Sequence, residues 1–466
     1  MARITYTLAS IALALVTGVS QIFAYDLVVF FVVDQLRSEA VSFKPPNGVF
    51  FPNTYLPYSC TLTAPGHATL LSGRLPREHG IIANSWFEGD KLIMAGEDTS
   101  TSPIGGKIGF SPHQFIGDHL SLYWKRRYPQ SYFISISHKE RSAVFSGGPA
   151  ADLAIWASAA GFASSSYYPK ADKKIVEILN KASAQTTGNK ARSPDQKTLA
   201  AAKFLAKYFS LGKKEEPDFL AVSLSELDII AHKHGYEHRK TQEHLQKLPK
   251  ALQDFESYMR KTLKIHNILF VLTADHGSTT IEKEAIVYSA TPKRISPEEL
   301  YAPLGQYRIP WKTIPPHIYS EEEALALALA ESPYVYRIYL PQRRQFVRPP
   351  HLPTAMLPPD SELENLLQAC YFPSRSPNIL VVLWPYIFLQ DKGSDVVAGH
   401  GGPFPSDRRI PFLLWGDGFS HSITIEKETS ALAIAKTVAH LVGVTYPHPE
   451  HLAPLLPEKR GKIQRD

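Results

Sequence analysis

Asp228 and His232 stand four residues apart, and Asp275 is followed directly by His276. Asp34 and His400 lie far from both pairs in the chain. Each of these side chains can donate oxygen or nitrogen to a metal ion, and none is a thiolate. Structural zinc favours closed, cysteine-rich tetrahedra, so this donor set points to zinc used in catalysis. Six donors also suit two ions with three protein ligands each. Paired ions hold both the attacking and the leaving oxygen of an in-line displacement. Thr63, in CTLTAPGHATLLSG, supplies a hydroxyl that could attack. Pro65 and the apolar run Ala68, Leu70 and Leu71 place Thr63 where a loop turns into a helix N-terminus. Such a place gathers free N–H groups and favours anions. A metal beside the hydroxyl would make it a usable nucleophile.

Each residue also has an ordinary reading when taken alone. Thr63 would be an N-cap, and Asp34 and Asn84 turn residues. Lys139 and Arg141, just past a short strand, would form a solvated edge. His67 lies close enough to Thr63 to pose as its base, but a metal-activated hydroxyl does not need one. It is read here as structural.

The elements that must position these groups are buried strands. Leu27 to Val33 (LVVFFVV), Tyr132 to Ser137 (YFISIS), Phe219 to Leu224 (FLAVSL) and Asn267 to Thr273 (NILFVLT) are short apolar runs. Continuous apolar runs of this length mark strands covered on both faces, as in parallel sheets. Candidate ligands follow three of them, where open α/β sheets place ligands. Pro411 to Trp415 reads as a last buried strand, and Ser430 to Val442 as a closing helix. His238 to Leu263 reads as a long amphipathic helix that Pro249 could interrupt. Residues 281–377, rich in Pro and Tyr, read as a cap inserted into the same domain, with strand character resuming over Ile379 to Phe388, where Pro385 suggests an edge or a bend. The expected fold is a three-layer α/β/α sandwich with a mostly parallel sheet.

The chain has 466 residues and a formal net charge of +6, and no basic tract dense enough to make nucleic acid a specific partner. Arg3 is the only charge before Asp26, an apolar stretch covers Leu8 to Val19, and small residues end near Ala24. That is a secretory signal pattern, giving residues 1–24 as signal peptide and 25–466 as the exported catalytic domain, periplasmic or secreted. Association with a membrane would require the leader to stay uncleaved. The two cysteines, Cys60 and Cys370, are too far apart to carry a framework signal, and their pairing stays open.

Together these segments resemble the alkaline phosphatase superfamily. They are most similar to its phosphate-irrepressible branch with a threonine nucleophile, and related to nucleotide pyrophosphatase/phosphodiesterases. The resemblance rests on VVDQLR, TLTAPGHATLLSG, GIIANSW, SHKERSA, SLSELDIIAHKHG, TADHG and GHGGP. It implies two zinc ions, one held by Asp228, His232 and His400, the other by Asp34, Thr63, Asp275 and His276. It implies that Asn84, Lys139 and Arg141 bind the transferred phosphoryl group. The implied substrates are small phosphate esters, monoesters above all, since two cations suit a dianionic group. Phosphodiester or pyrophosphate cleavage at the same two-zinc site is the alternative.

Overall fold

The computed structural model describes residues 25–184, 192–278, 293–307, 311–350, 359–390, 395–447 and 456. Residues 1–24, expected above to be a signal peptide, lie outside the described residues. Among the described residues no helix is long and apolar enough to cross a membrane.

The core of the fold is an eleven-stranded sheet. Its main strands are β1 (Leu27–Val33), β2 (Gly48–Tyr55), β3 (Phe133–Ser137), β4 (Leu153–Ser158), β5 (Asp218–Leu224), β6 (Ile268–Thr273) and β7 (Arg409–Gly416). In space they run β2-β7-β6-β1-β5-β3-β4. The five from β6 to β4 are parallel to one another. β7 lies antiparallel between β6 and β2, and Gly161–Ser165 pairs antiparallel with β4. Every residue of β1, β3, β5 and β6 is buried, so the sheet is covered on both faces. This is the three-layer α/β/α arrangement expected.

Five helices bear on the site: α1 (Thr63–Ser72), α2 (Glu140–Gly147), α3 (Pro194–Tyr208), α4 (Glu226–His234) and α5 (Arg239–Ser257). α5 runs through Pro249 without a break. Its buried residues Leu245, Leu248, Leu252 and Phe255 fall on one helical stripe, whose packing outweighs the missing N–H bond. The closing helix is shorter than expected, Ala433–Leu441, because Ser430 pairs with Tyr55 as a strand residue.

Residues 379–388 do not form one strand. Leu380–Leu383 and Ile387–Leu389 are separate, with Tyr386 between them in the left-handed region at φ 70°. Leu380–Leu383 pairs with Val335–Leu340 in a three-stranded sheet apart from the main one. Residues 293–389 also contain hydrophobic clusters of their own, one of them centred on Ile318, Leu325, Leu329 and Ile338. The segment around Ala369 and Cys370 belongs instead to the main core.

Cys60 and Cys370 form a disulfide across 310 residues of sequence. The bridge joins the stretch before α1 to the end of helix Asp360–Gln368.

Candidate active site

Four neighbouring parallel strands deliver the site. Asp275 and His276 follow β6, Asp34 follows β1, Asp228 and His232 sit on α4 after β5, and Lys139 and Arg141 follow β3. Because the strands are parallel, their carboxyl ends share one edge, and residues distant in sequence converge there. Gln35, next to Asp34, has φ 68°, and its N–H donates to Asp275 Oδ1 at 3.2 Å. The turn after β1 is thereby tied to the turn after β6.

Thr63 is the first residue of α1, and the residue before it, Leu62, is the extended N-cap. The ordinary capping role thus falls to a side chain that cannot perform it, and Thr63 Oγ1 is free of that duty. The Ala64 N–H donates to Asn84 Oδ1 at 2.9 Å, which leaves the Asn84 NH2 to donate elsewhere. Gly66 is required by contact: a Cβ there would stand 2.3 Å from the Asp275 carbonyl oxygen. Any larger residue would lift α1 away from the turn after β6.

Lys139 binds the carboxylates together. Its Nζ is 2.5 Å from Asp34 Oδ2, 2.6 Å from Asp228 Oδ2 and 3.5 Å from Thr63 Oγ1. Burial disfavours the ammonium, but the charges of Asp34 and Asp228 outweigh it and hold Lys139 protonated. Burial, followed by repulsion from Asp228 and Asp275, pushes Asp34 up to about 7. So dense a cluster of buried carboxylates calls for cations.

Three imidazoles are each tied through Nδ1 to a backbone carbonyl, which turns Nε2 into the cluster. His232 Nδ1 lies 2.7 Å from the Ala398 carbonyl, His400 Nδ1 2.8 Å from that of Thr61, and His276 Nδ1 2.9 Å from that of Gly277. A carbonyl only accepts, so each Nδ1 carries the proton and each Nε2 presents a lone pair. Those Nε2 atoms face carboxylate oxygens. His232 and His400 are 3.1 and 3.5 Å from Asp228 Oδ1, and His276 is 3.4 Å from both Asp34 Oδ1 and Asp275 Oδ2. Asp34 Oδ1, Asp228 Oδ1, Asp275 Oδ2 and His276 Nε2 are all buried with no hydrogen-bond partner. Acceptors facing acceptors repel unless a cation lies between them. Burial also lowers the pKa values of His276 and His400, which favours their neutral form, whereas Asp228 outweighs burial and raises that of His232.

Two groups have one ligand atom from each member within 4.8 Å of the others: Asp228, His276 and His400, and Asp34, Asp275 and His276. His276 belongs to both, and its ring stacks on His400 at 3.6 Å between centroids. His232 reaches the first group through Asp228.

Arg141 Nη1 donates to Glu140 Oε1 at 2.9 Å, while its buried Nε has no hydrogen-bond partner. His67 donates through Nδ1 to the Thr63 carbonyl at 2.9 Å and sits 3.3 Å from Asp275 Oδ2, with Nε2 beside Ser223 Oγ. Its geometry orients Asp275 and α1, and no lone pair is aimed at the Thr63 hydroxyl. The carbonyl partners Thr61, Gly277 and Ala398, together with Ser223 and Gln35, were not singled out from sequence. Their contributions come mostly from the backbone, which residue type does not reveal.

Asn84, His232 and His400 also line a cavity of about 470 Å³. Its other walls include Ile82, Ile314 and Tyr319.

The chain matches the type I phosphodiesterase / nucleotide pyrophosphatase family over residues 28–351 and belongs to it. It is 27% identical over 443 residues to the alkaline phosphatase PhoK of Sphingomonas sp., covering 80% of this chain and 78% of the relative. The crystal structure of wild-type alkaline phosphatase PafA superposes with a TM-score of 0.74 at 19% identity, over 91% of this chain and 96% of that one. Murine ectonucleotide pyrophosphatase / phosphodiesterase 5 superposes with a TM-score of 0.59 at 16% identity, over 92% of this chain and all of that one.

Proposed function

We propose that this chain is an exported, metal-dependent phosphoesterase that hydrolyses small phosphate monoesters, with Thr63 as the nucleophile. The observation that carries the reading is Lys139. Its ammonium is fixed by two carboxylates within 3.5 Å of the Thr63 hydroxyl, where a transferred group would bring negative charge. Similarity to PhoK, named an alkaline phosphatase, supports the same choice.

The donor set fits two zinc ions: Asp228, His232 and His400 around one, Asp34, Thr63, Asp275 and His276 around the other, with His276 close to both. When bound, zinc would supply Lewis-acid charge and ease deprotonation of a hydroxyl or water. The chain's own residues do the rest. α1 presents Thr63 Oγ1 to the phosphorus. Asn84, held by the Ala64 N–H, offers its NH2 to a non-bridging oxygen. Lys139 and Arg141 neutralise the remaining charge, and Arg141 Nε is a buried donor without another partner. Attack by Thr63 releases the alcohol and leaves a phosphothreonine, which water then hydrolyses, giving net retention at phosphorus. Residues 293–389, with their own apolar clusters, would act as the cap over this site.

The cavity beside Asn84 favours a second reading, phosphodiester or pyrophosphate cleavage. Its apolar walls could hold the extra ester group. Rates on phenyl phosphate and on its methyl diester separate the two. A monoester preference is expected, and a faster diester would overturn the choice. N-terminal sequencing of exported protein should begin near Tyr25.

A further inference from the structure

Glu226 opens α4 two residues before Asp228 and belongs to a different group of donors. Asp195, in the first turn of α3, and His244, on α5, complete it. One ligand atom from each of the three lies within 4.8 Å of the others. Half of each carboxylate is already fixed. The Glu226 N–H donates to Asp195 Oδ1 at 3.0 Å, and the Asp195 N–H donates to Glu226 Oε2 at 3.2 Å. The Ser193 hydroxyl donates to Glu226 Oε2 as well. The remaining oxygens face His244: Asp195 Oδ2 is 3.4 Å from Nε2, and Glu226 Oε1 is 4.0 Å from Nδ1.

Asp195 is 6% exposed, yet its Oδ2 makes no hydrogen bond, and neither does His244 Nε2. Both orphaned atoms are buried and aimed at each other. A buried carboxylate beside a half-buried one, without a cation between them, is costly.

We propose that Asp195, Glu226 and His244 form a third divalent-metal site, separate from the phosphoesterase centre and suited to zinc. Two carboxylates and one imidazole are a borderline donor set for that ion. A divalent ion neutralises both carboxylates and displaces any proton on His244. It would also join α3, α4 and α5 at one point, and so fix the helix that carries Asp228 and His232. The inference does not depend on which ester the main site cleaves.

Zinc per chain, measured by mass spectrometry after equilibration and gel filtration, tests it. His244→Gln should bind one equivalent less than the unaltered chain. Asp228→Ala with His276→Ala, which cripples the main site, should still hold that equivalent. Added zinc should raise the melting temperature of this double variant, and the rise should vanish when His244→Gln is added. If His244→Gln binds as much zinc as the unaltered chain, the proposal is overturned. An empty double variant would overturn it too, and His244 would then be an imidazolium held between two carboxylates. Should the phosphatase reading fail instead, the unaltered chain would hold a single ion that His244→Gln alone removes.

Discussion

At the carboxyl edge of the main sheet, four adjacent parallel strands place charged side chains close to their last residues. In residues 293–389 the strands are three to six residues long, and they pair in separate sheets of two or three. The first region is rigid because its strands are buried throughout, so a ligand two residues past a strand has little freedom. The second packs mainly on itself and meets the main core at a few points, including the Cys60–Cys370 bridge and Arg375. Chemistry that demands fixed charges belongs to the first region. Shape around a leaving group can be left to the second.

The largest effect that separates the regions should come from Thr63→Ala. Removing a nucleophile typically costs on the order of 10⁵-fold or more in kcat. The fold should be untouched, since the Thr63 side chain caps nothing. Turnover on a chromogenic monoester and a melting curve check both halves. Substantial residual turnover with retention at phosphorus would mean another residue attacks.

Acid should weaken both regions through buried imidazoles. Burial, then the charges of His119 and Arg375, hold His79 down at about 3. Burial holds His119 and His317 at about 4. These groups are neutral when folded but gain a proton near 6.5 when unfolded. Below 6.5 the unfolded chain therefore binds more protons, and stability falls with pH until the folded forms protonate, His119 and His317 at about 4 and His79 at about 3. By pH 5.5 each imidazole costs about 1.2 kcal/mol relative to pH 7, or about 4 kcal/mol for the three. Urea midpoints at pH 7 and 5.5 measure it. His317→Gln, in residues 293–389, should flatten the dependence by about a third, and an unchanged slope would sink the assignment.

Arg141→Ala should act on the first region alone. It would remove the charge-assisted contact proposed with the transferred group, typically worth about 1.5–3 kcal/mol, so monoester kcat/KM should drop at least about tenfold. A diester carries one charge less, and its rate should fall far less. Adding Lys139→Ala should shrink the monoester preference further. Equal losses on both substrates would remove the support these residues give to the monoester reading.

The contrast between the regions also governs what the sequence reveals. LVVFFVV, FISIS, FLAVSL and ILFVLT are legible because a strand buried on both faces must be apolar throughout. Asp34 directly follows its run, and Asp275 and Asp228 come two and four residues past theirs, where open α/β sheets place ligands, so the three stand out together and not singly. The spatial order β6-β1-β5-β3 is not written locally, nor is the pairing of Cys60 with Cys370, which is decided by the packing of elements 310 residues apart. The carbonyls that fix the imidazole tautomers are backbone groups, alike in every residue. Over Ile379 to Phe388 the apolar pattern shows strand character and Pro385 suggests an edge or a bend, and the chain turns at the next residue, Tyr386.

The smallest effect should come from the exposed tie between the regions. Lys312 Nζ donates to the Gly89 carbonyl at 2.7 Å and to Asp90, and it lies 5.5 Å from the Phe87 ring centroid. Asp90 is fully exposed, so solvent and salt screen the pair, and such bridges often contribute nothing measurable. Arg375 makes the part-buried counterpart. Its Nη1 donates to the Gly80 and Gln114 carbonyls at 2.7 and 2.9 Å, and its guanidinium lies 5.0 Å from the Trp86 ring centroid. Arg375→Ala would leave two carbonyls without this donor, at about 1–3 kcal/mol for a buried acceptor. Lys312→Ala should therefore leave the melting temperature unchanged, while Arg375→Ala lowers it by several degrees. Arg375→Ala should also raise KM more than it lowers kcat, because Trp86 lies two residues from Asn84 while Thr63 stays on the main sheet's edge. If Lys312→Ala proves the more damaging, the two regions are joined through their surface and not through the Arg375 anchor.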